Sequence, residues 1–324
     1  MKTLRIAHTD LVVSRIALGC MQLGGSWDAT AFTDVERSRA VRLVTAAVEQ
    51  GINLFDHADI YACGKSEAVF GEVLQQMPGL RQRIVIQFKC GIRFADTPNT
   101  GDPARYDFSH AHITASVEGS LRRLRCDHLD ILLLHRPDPL VEPEEVAMAF
   151  DALQRSGKVR YFGVSNHSAG QIALLQRYLA QPLVINQLEL SLLHSPLIDE
   201  GVAVNTSAAS STAATGTLDH CRAQGISIQA WSPLAGGALL AAPATASPHV
   251  GAAAARVAAL ADAYGTSREA IALAWLLRHP AGIVPVVGTT RVERLLACCQ
   301  ADGITLSREQ WYGLYNAARA VPLP

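Results

Sequence analysis

No hydrophobic run in this 324-residue sequence is long enough to span a membrane; the longest, such as LDILLLH and GIVPVVG, are strand-sized. Charge of one sign is lacking too. A formal net charge of -1 gives no electrostatic case for a nucleic acid or an anionic membrane as partner. The seven cysteines (Cys20, Cys63, Cys90, Cys126, Cys221, Cys298 and Cys299) contain no CxxC pair. The amino-terminal MKTLRIAHTD turns polar before a signal-peptide core can form. Together these imply reduced thiols in a cytoplasmic protein, most of them acting as small buried hydrophobes. A GxGxxG after the first strand is missing, and GCMQLGG stands in its place, which argues against an open dinucleotide-binding sheet. Neither HxH nor HExxH occurs where metal-dependent barrel chemistry would want it. Asp56, His57, Asp59 and His135 remain only a formal ligand set, so no metal is expected.

What is present is a regular alternation. Apolar residues make up 49% of the chain, enough for a large core. Short β-branched or aliphatic runs predict strands at 16–19, 53–56, 83–89, 129–135, 159–165, 183–189, 226–232 and 283–288. Amphipathic stretches predict helices near 34–50, 66–77, 109–125, 142–156, 168–179, 215–224, 251–277 and 291–300. The strands are almost continuously apolar, as expected when both faces are covered. Eight of them separated by helices predict an α/β fold of the (β/α)8 TIM-barrel type, residues 1–324 forming one domain. Two additions lie outside the ring. LRIAHTDLVVSRIALG reads as an amino-terminal β-hairpin around Thr9 and Asp10 that closes the barrel bottom. SREQWYGLYNAARAV reads as a carboxy-terminal helix, with Ser307 as cap and Glu309 and Gln310 behind it. Between strands six and seven, PLIDEGVAVNTSAASSTAATGT has too few large apolar side chains for a core and predicts a mobile loop. APATASPHVGAAAA is similar until its alanines enter a helix.

The segment FDHADIYACGKSE, positions 55–67, sets Asp56, His57, Asp59, Tyr61, Lys65 and Glu67 behind the end of a buried strand. One explanation is an acid/base site. The other is a polar strand exit leading to a helix capped by Ser66, with Glu67 in its first turn. Barrel active sites assemble at the carboxy-terminal strand ends. Those ends carry Asp56, Lys89, His135, Ser165, Asn166, Gln187, Glu189, Trp231, Ser232, Gly288 and Thr289, whereas the opposite ends begin with Arg83, Asp130 and Arg160. Each residue alone is unremarkable as a strand terminus; their convergence on one face points to a site. Lysine and aspartate in a low-dielectric pocket are tolerable chiefly as a pair. A tyrosine beside that lysine has its phenolate favoured, which lowers its pKa from about 10 toward neutrality. Tyr61 is then a candidate proton donor to a carbonyl, and His135 a donor that orients the same oxygen. His57, Asp59 and Lys65 are read as loop or cap residues.

With these residues in view, the chain resembles the aldo-keto reductase superfamily, most of all its bacterial oxidoreductase branches, from the hairpin to about residue 300. The motifs that carry the resemblance are GINLFDHADIYACGKSE, VIQFKCGI, LDILLLHRPD, VRYFGVSNH, NQLELSLLH, WSPLAGG and VVGTTRVERL. The resemblance implies a barrel that uses NADPH, less often NADH, to reduce aldehydes and ketones to alcohols by transfer of the pro-R hydride. It places the family's catalytic tetrad on Asp56, Tyr61, Lys89 and His135. Ser165, Asn166 and Gln187 match the residues that bind the nicotinamide carboxamide, and Trp231 the aromatic residue that stacks on its ring. Ser232, Pro233, Leu234 and Gly236 match the segment over the pyrophosphate, and Met21 and Gln22 match first-loop positions near the cofactor. Thr289 and Arg294 match binders of the 2'-phosphate.

The departures lie in the same region. Gly288 stands where many members have a lysine, and Ala297 and Cys298 where an adenine-holding pair is common; Arg291 is a partial substitute. The 200–216 segment is longer than in most relatives and is a candidate cover for the pyrophosphate. The expected function is therefore an NADPH-dependent reductase of a small-molecule carbonyl. The alternatives are a non-catalytic cofactor-binding subunit, as in barrel relatives attached to membrane channels, and a metal-dependent barrel hydrolase or lyase. Trp27, Phe32, Phe94, Tyr106 and the 191–216 segment are candidate substrate-pocket residues. The short end AVPLP favours small or open-ended substrates over those needing a long lid. Oligomeric state is not readable.

Overall fold

Two short strands, β1 (Thr3–Arg5) and β2 (Val12–Ser14), pair antiparallel across the expected turn. The Thr9 hydroxyl shapes that turn by donating to the Ile6 carbonyl at 2.8 Å and accepting from the Leu11 amide at 3.0 Å. The computed structural model describes residues 1–204, 216–240, 246–320 and 323. Ile6, Leu11 and Val13 pack into one cluster with Ala17, Leu54, Val85, Ile131 and Val284 from the barrel strands. The hairpin therefore plugs the barrel bottom with apolar side chains, as the sequence implied.

Eight parallel strands close into the barrel: β3 (Ala17–Gly19), β4 (Leu54–Asp56), β5 (Val85–Cys90), β8 (Leu129–Leu134), β9 (Val159–Ser165), β10 (Leu183–Glu189), β11 (Ser227–Trp231) and β12 (Val284–Val287). The ring shuts where Val286 and Val287 of β12 pair with Ala17 and Leu18 of β3. Around it run α1 (Asp34–Glu49), α2 (Lys65–Gln76), α3 (His110–Leu124), α4 (Pro143–Arg155), α5 (Ala169–Gln176), α6 (Pro196–Ala203), α7 (Thr217–Gln224), α8 (Pro248–Tyr264), α9 (Arg268–Leu277) and α10 (Val292–Cys299), followed by α11 (Arg308–Ala318). Successive residues of a strand face opposite sides. In β5, Val85 belongs to the barrel-interior cluster, while Ile86, Phe88 and Cys90 pack outward under the helices. The alternation leaves Gln87 and Lys89 on the inner side. Helix α11 docks through a stack of Trp275, Trp311 and Tyr315, and the Trp311 indole donates to the Trp275 carbonyl at 3.0 Å. Its capping box, Ser307 with Gln310, is the expected one. No described helix is long and apolar enough to cross a membrane.

Four expectations need correction. The expected 251–277 helix is two helices: Gly265, at φ 61°, ends α8, and the Ser267 hydroxyl caps α9 by accepting from the Ala270 amide at 3.1 Å. The predicted loop from residue 196 onward begins as α6, with Pro196 in its first turn. Ser66 does not cap α2. Gly64 holds that position at φ 85°, while the Ser66 hydroxyl donates to the Met21 carbonyl at 2.9 Å and accepts from the Gly24 amide at 3.2 Å. A further hairpin, β6 (Ile92–Arg93) with β7 (Arg105–Tyr106), follows β5 and was not anticipated. Of the 200–216 segment, 205–215 lie outside the described residues, as do 241–245 of the stretch before α8.

Candidate active site

Strand β4 ends at Asp56, and β5 carries Lys89 one residue before its end. The two meet inside the barrel, with the Lys89 Nζ 2.6 Å from both carboxylate oxygens and each side chain almost wholly buried. A buried ion pair survives only when further hydrogen bonds offset its desolvation. Here the Asp56 Oδ1 also accepts from the Gln87 Nε2 at 2.7 Å and the Gln187 Nε2 at 3.0 Å. Both amides donate in turn to the Gln229 Oε1 at 2.8 Å, and the Gln229 Nε2 returns a bond to the Gln87 Oε1. Three glutamines thus form a polar layer under the ion pair. Gln187, an expected carboxamide contact, thus has its Nε2 committed to Asp56 and Gln229. Gln87 and Gln229 were overlooked, although each stands as a polar residue between two apolar neighbours of a buried strand, IVIQFK and ISIQAW.

The chain then leaves β4 along β5. The His57 amide donates to the Gln87 carbonyl at 2.8 Å and the Asp59 amide to the Lys89 carbonyl at 3.1 Å, which carries Tyr61 over the Lys89 ammonium. That ammonium lies 5.0 Å from the Tyr61 ring centroid, and the His135 ring stands edge-on at 6.1 Å. Ala62 and Cys63, at φ 47° and 57°, and Gly64 are all left-handed, a costly reversal that turns the chain into α2 immediately behind the tyrosine. Burial pushes the Tyr61 phenol up to about 12; Lys89 pulls it down and Asp56 pushes it up again. The expectation of near-neutral acidity is corrected accordingly: burial, and after it Asp56, outweigh the charge that was to lower it. Burial works against the Lys89 charge, yet Asp56 and then Tyr61 outweigh it and raise that pKa. His135 is held well below its ordinary value by burial, then by Lys89 and Arg136. It is therefore a neutral imidazole with one N–H to give.

The remaining ionisable groups of 55–67 turn away. His57 is fully buried against Phe70, with ring centroids 4.5 Å apart, and burial, then Lys89, lowers its pKa to about 3. Glu67 is buried and pairs with Arg123 of α3 at 2.7 Å. Burial, then Glu67, raises Asp59 to about 7. Lys65 reaches the first loop, donating to the Thr30 carbonyl at 2.7 Å. The formal metal set is thus spread over different partners: Asp56 on Lys89, His57 on Phe70 and Asp59 beside Glu67. Among the described residues no group of three or more such side chains is placed to hold a metal.

A cavity of about 630 Å³ opens above this floor. Met21, Gln22, Asp56, Tyr61, His135, Ser165, Asn166, Gln187, Trp231, Ser232, Pro233, Leu234, Gly236, Gly288, Thr289 and Arg294 all line it, so of the expected tetrad and the family-matched cofactor contacts all but Lys89 reach its wall. Lys89 lies beneath. Asn166, left-handed at φ 63°, ties the middle together. Its Nδ2 donates to the His135 carbonyl at 3.1 Å and the Ser165 hydroxyl at 2.9 Å, and its Oδ1 accepts from the Trp231 indole at 2.9 Å. The Ser165 hydroxyl donates to the Gln187 carbonyl at 2.8 Å. Trp27 lines the cavity and meets Tyr61 edge-on at 6.4 Å and Phe94 at 6.5 Å. Phe32 instead packs under Arg37, and Tyr106 sits in the β6–β7 hairpin; neither lines the cavity. Arg291 is exposed and also off the wall, and Cys298 is buried in the core. Arg136 and Ile92 line the cavity and were missed, although Arg136 directly follows His135 in LDILLLHRPD.

Comparison with known proteins points one way. Residues 15–317 match the model of the aldo/keto reductase family. The chain is 39% identical to a 6-dehydroglucose reductase of Agrobacterium fabrum, over 97% of each chain. It is 36% identical to a 6-dehydroglucose reductase of Novosphingobium aromaticivorans, over 99% of this chain and 96% of the other. Its fold is similar to the glycerol dehydrogenase of Gluconobacter oxydans, with a TM-score of 0.81, 26% identity, and coverage of 99% of this chain and 97% of that one.

Proposed function

The chain belongs to the aldo/keto reductase family, and from that premise we propose an NADPH-dependent carbonyl reductase in which Tyr61 donates the proton. It is an oxidoreductase of the family's kind, reducing carbonyls with NAD(P)H. The observation that carries the finer reading is the stack at the cavity floor: Tyr61 and His135 on the wall, with the Lys89–Asp56 pair beneath. When bound, the reduced nicotinamide supplies the hydride. Tyr61 holds a transferable proton, and its raised pKa keeps it a neutral phenol, the form a donor needs. His135, neutral, offers a hydrogen bond to the carbonyl oxygen as charge develops there. Lys89 stabilises the phenolate left behind, and Asp56 with its glutamines fixes the lysine.

The residues present fit a nicotinamide dinucleotide. Trp231 offers a flat ring whose indole N–H is tethered by Asn166. At Gly236, Gly237 and Gly288 an added Cβ would meet nothing within 4 Å, so bare backbone faces open room there. Arg294 makes no ion pair among the described residues, and this free guanidinium beside Thr289 favours NADPH over NADH. The closure of β12 onto β3 supports one domain over 1–324, and seven free cysteines support a cytoplasmic location. The partner is a small carbonyl substrate; the names of two relatives put sugar aldehydes on the test panel. Mixing the protein with NADPH and a set of aldehydes, ketones and sugars tests the reading. Loss of NADPH absorbance that depends on the carbonyl compound is expected, and no consumption with any of them contradicts it.

A further inference from the structure

Arg136 follows His135 directly and lines the cavity beside it, yet among the described residues its guanidinium has no ion pair and no hydrogen bond. Its guanidinium carbon lies 5.3 Å from the centroid of the Trp231 ring. That contact satisfies a face of the group and none of its five N–H donors. The other charges of the cavity are committed or distant: Lys89 pairs with Asp56, and Arg294 sits with Thr289 beyond β12. Arg136 also lines a neighbouring cavity of about 360 Å³, which shares Asn166 and Trp231 with the first, so it stands where the two meet.

The wall near Tyr61 is otherwise apolar: Trp27, Ile60 and Ile92 offer little to a polar substituent. A carbonyl oxygen held by Tyr61 and His135 leaves the rest of its substrate beside these groups. Arg136 is then the charged donor within reach. A guanidinium presents paired N–H groups in a rigid fork that matches two neighbouring oxygens. Resting on the carbonyl-reductase reading of this site, we propose that Arg136 determines specificity, selecting carbonyl substrates whose substituent presents two oxygen acceptors side by side, as a carboxylate or two neighbouring hydroxyls do. Arg136 takes no part in the proton or hydride transfer; it binds the far end of the substrate.

The test compares kcat and KM with NADPH for succinic semialdehyde, D-glyceraldehyde and butanal in the wild type, Arg136→Met and Arg136→Lys. Arg136→Met is expected to lose roughly ten- to a hundredfold in kcat/KM with an oxygen-rich aldehyde, mostly through KM, while butanal stays within about twofold. Loss confined to succinic semialdehyde identifies a carboxylate as the preferred group, and loss confined to D-glyceraldehyde identifies hydroxyls; either supports the proposal. Arg136→Lys should recover succinic semialdehyde more than D-glyceraldehyde, because it keeps the charge without the fork. A purely structural role would instead depress all three substrates together. Equal losses on all three, or none on either oxygen-rich substrate, overturn the role of Arg136 while leaving the reductase reading intact through butanal. Absence of turnover of any of them by the wild type overturns that reading, and the inference with it.

Discussion

Asp59 lies two residues before Tyr61 yet faces away from the cavity, toward Glu67, and its raised pKa has a consequence for stability. In the unfolded chain this carboxyl ionises near 3.8, whereas in the fold it keeps its proton to about 7. Between those values the native state binds the extra proton, so the contribution of Asp59 to stability falls as pH rises through that window and is flat above it. The span corresponds to on the order of 4 kcal/mol at most. His57, held neutral down to about 3, acts in the opposite sense, losing stability as pH falls below its unfolded value. Asp59→Asn isolates the first effect. Urea unfolding should show the variant gaining on the wild type between pH 5 and pH 8, with little change in turnover. A difference independent of pH would contradict the buried, protonated carboxyl. At this scale the sequence was legible for identity and less so for environment. Asp56, Lys89 and His135 stand at strand ends with Tyr61 on the connection behind β4, but the acidity of Tyr61 depends first on how deeply the fold buries it, which no residue pattern contains.

The packing of α2 on α3 depends on Gly71, where an added Cβ would lie 2.3 Å from the Arg123 carbonyl oxygen and 3.1 Å from that of Leu124. Both obstacles are backbone and cannot rotate aside. Gly71→Ala should therefore push the helices apart and lower stability by about 1–3 kcal/mol or more, read as a fall in the urea midpoint. It should also loosen the Arg123–Glu67 pair that spans them. An unchanged midpoint would show the helices free to shift. Elements were largely readable because buried parallel strands are uniformly apolar, and each barrel strand lies within two residues of its expected place. The misses have local causes. Gly265 and Ser267 are a stop and a start, but the alanine- and leucine-rich pattern on both sides ran across them. Helix α6 carries a proline start and Asp199 in its first turn, which the small, polar residues beyond it obscured.

Over the whole molecule, the barrel sets two chemically different ends of one cavity at fixed separation: Tyr61 and His135 near β4 and β8, and Thr289 and Arg294 beyond β12. Closing β12 onto β3 brings residues from both ends of the chain to the same wall. This arrangement was legible because strand order alone places every strand's carboxy-terminal end on one face. Arg294, which makes no ion pair among the described residues, should matter most to a cofactor bearing a 2'-phosphate. Arg294→Ala is expected to raise the Kd for NADPH by about tenfold or more while changing that for NADH little, by fluorescence titration. Equal losses with both would remove the phosphate assignment and leave the fold untouched. The central claim, that Tyr61 supplies the proton, is tested most directly by single-turnover hydride transfer from NADPH to an accepted aldehyde, comparing the wild type with Tyr61→Phe. The substitution keeps the ring and removes only the transferable proton. Transfer slower by roughly a hundred- to ten-thousandfold is expected, with NADPH affinity and circular dichroism unchanged. Transfer at close to the wild-type rate would contradict the account.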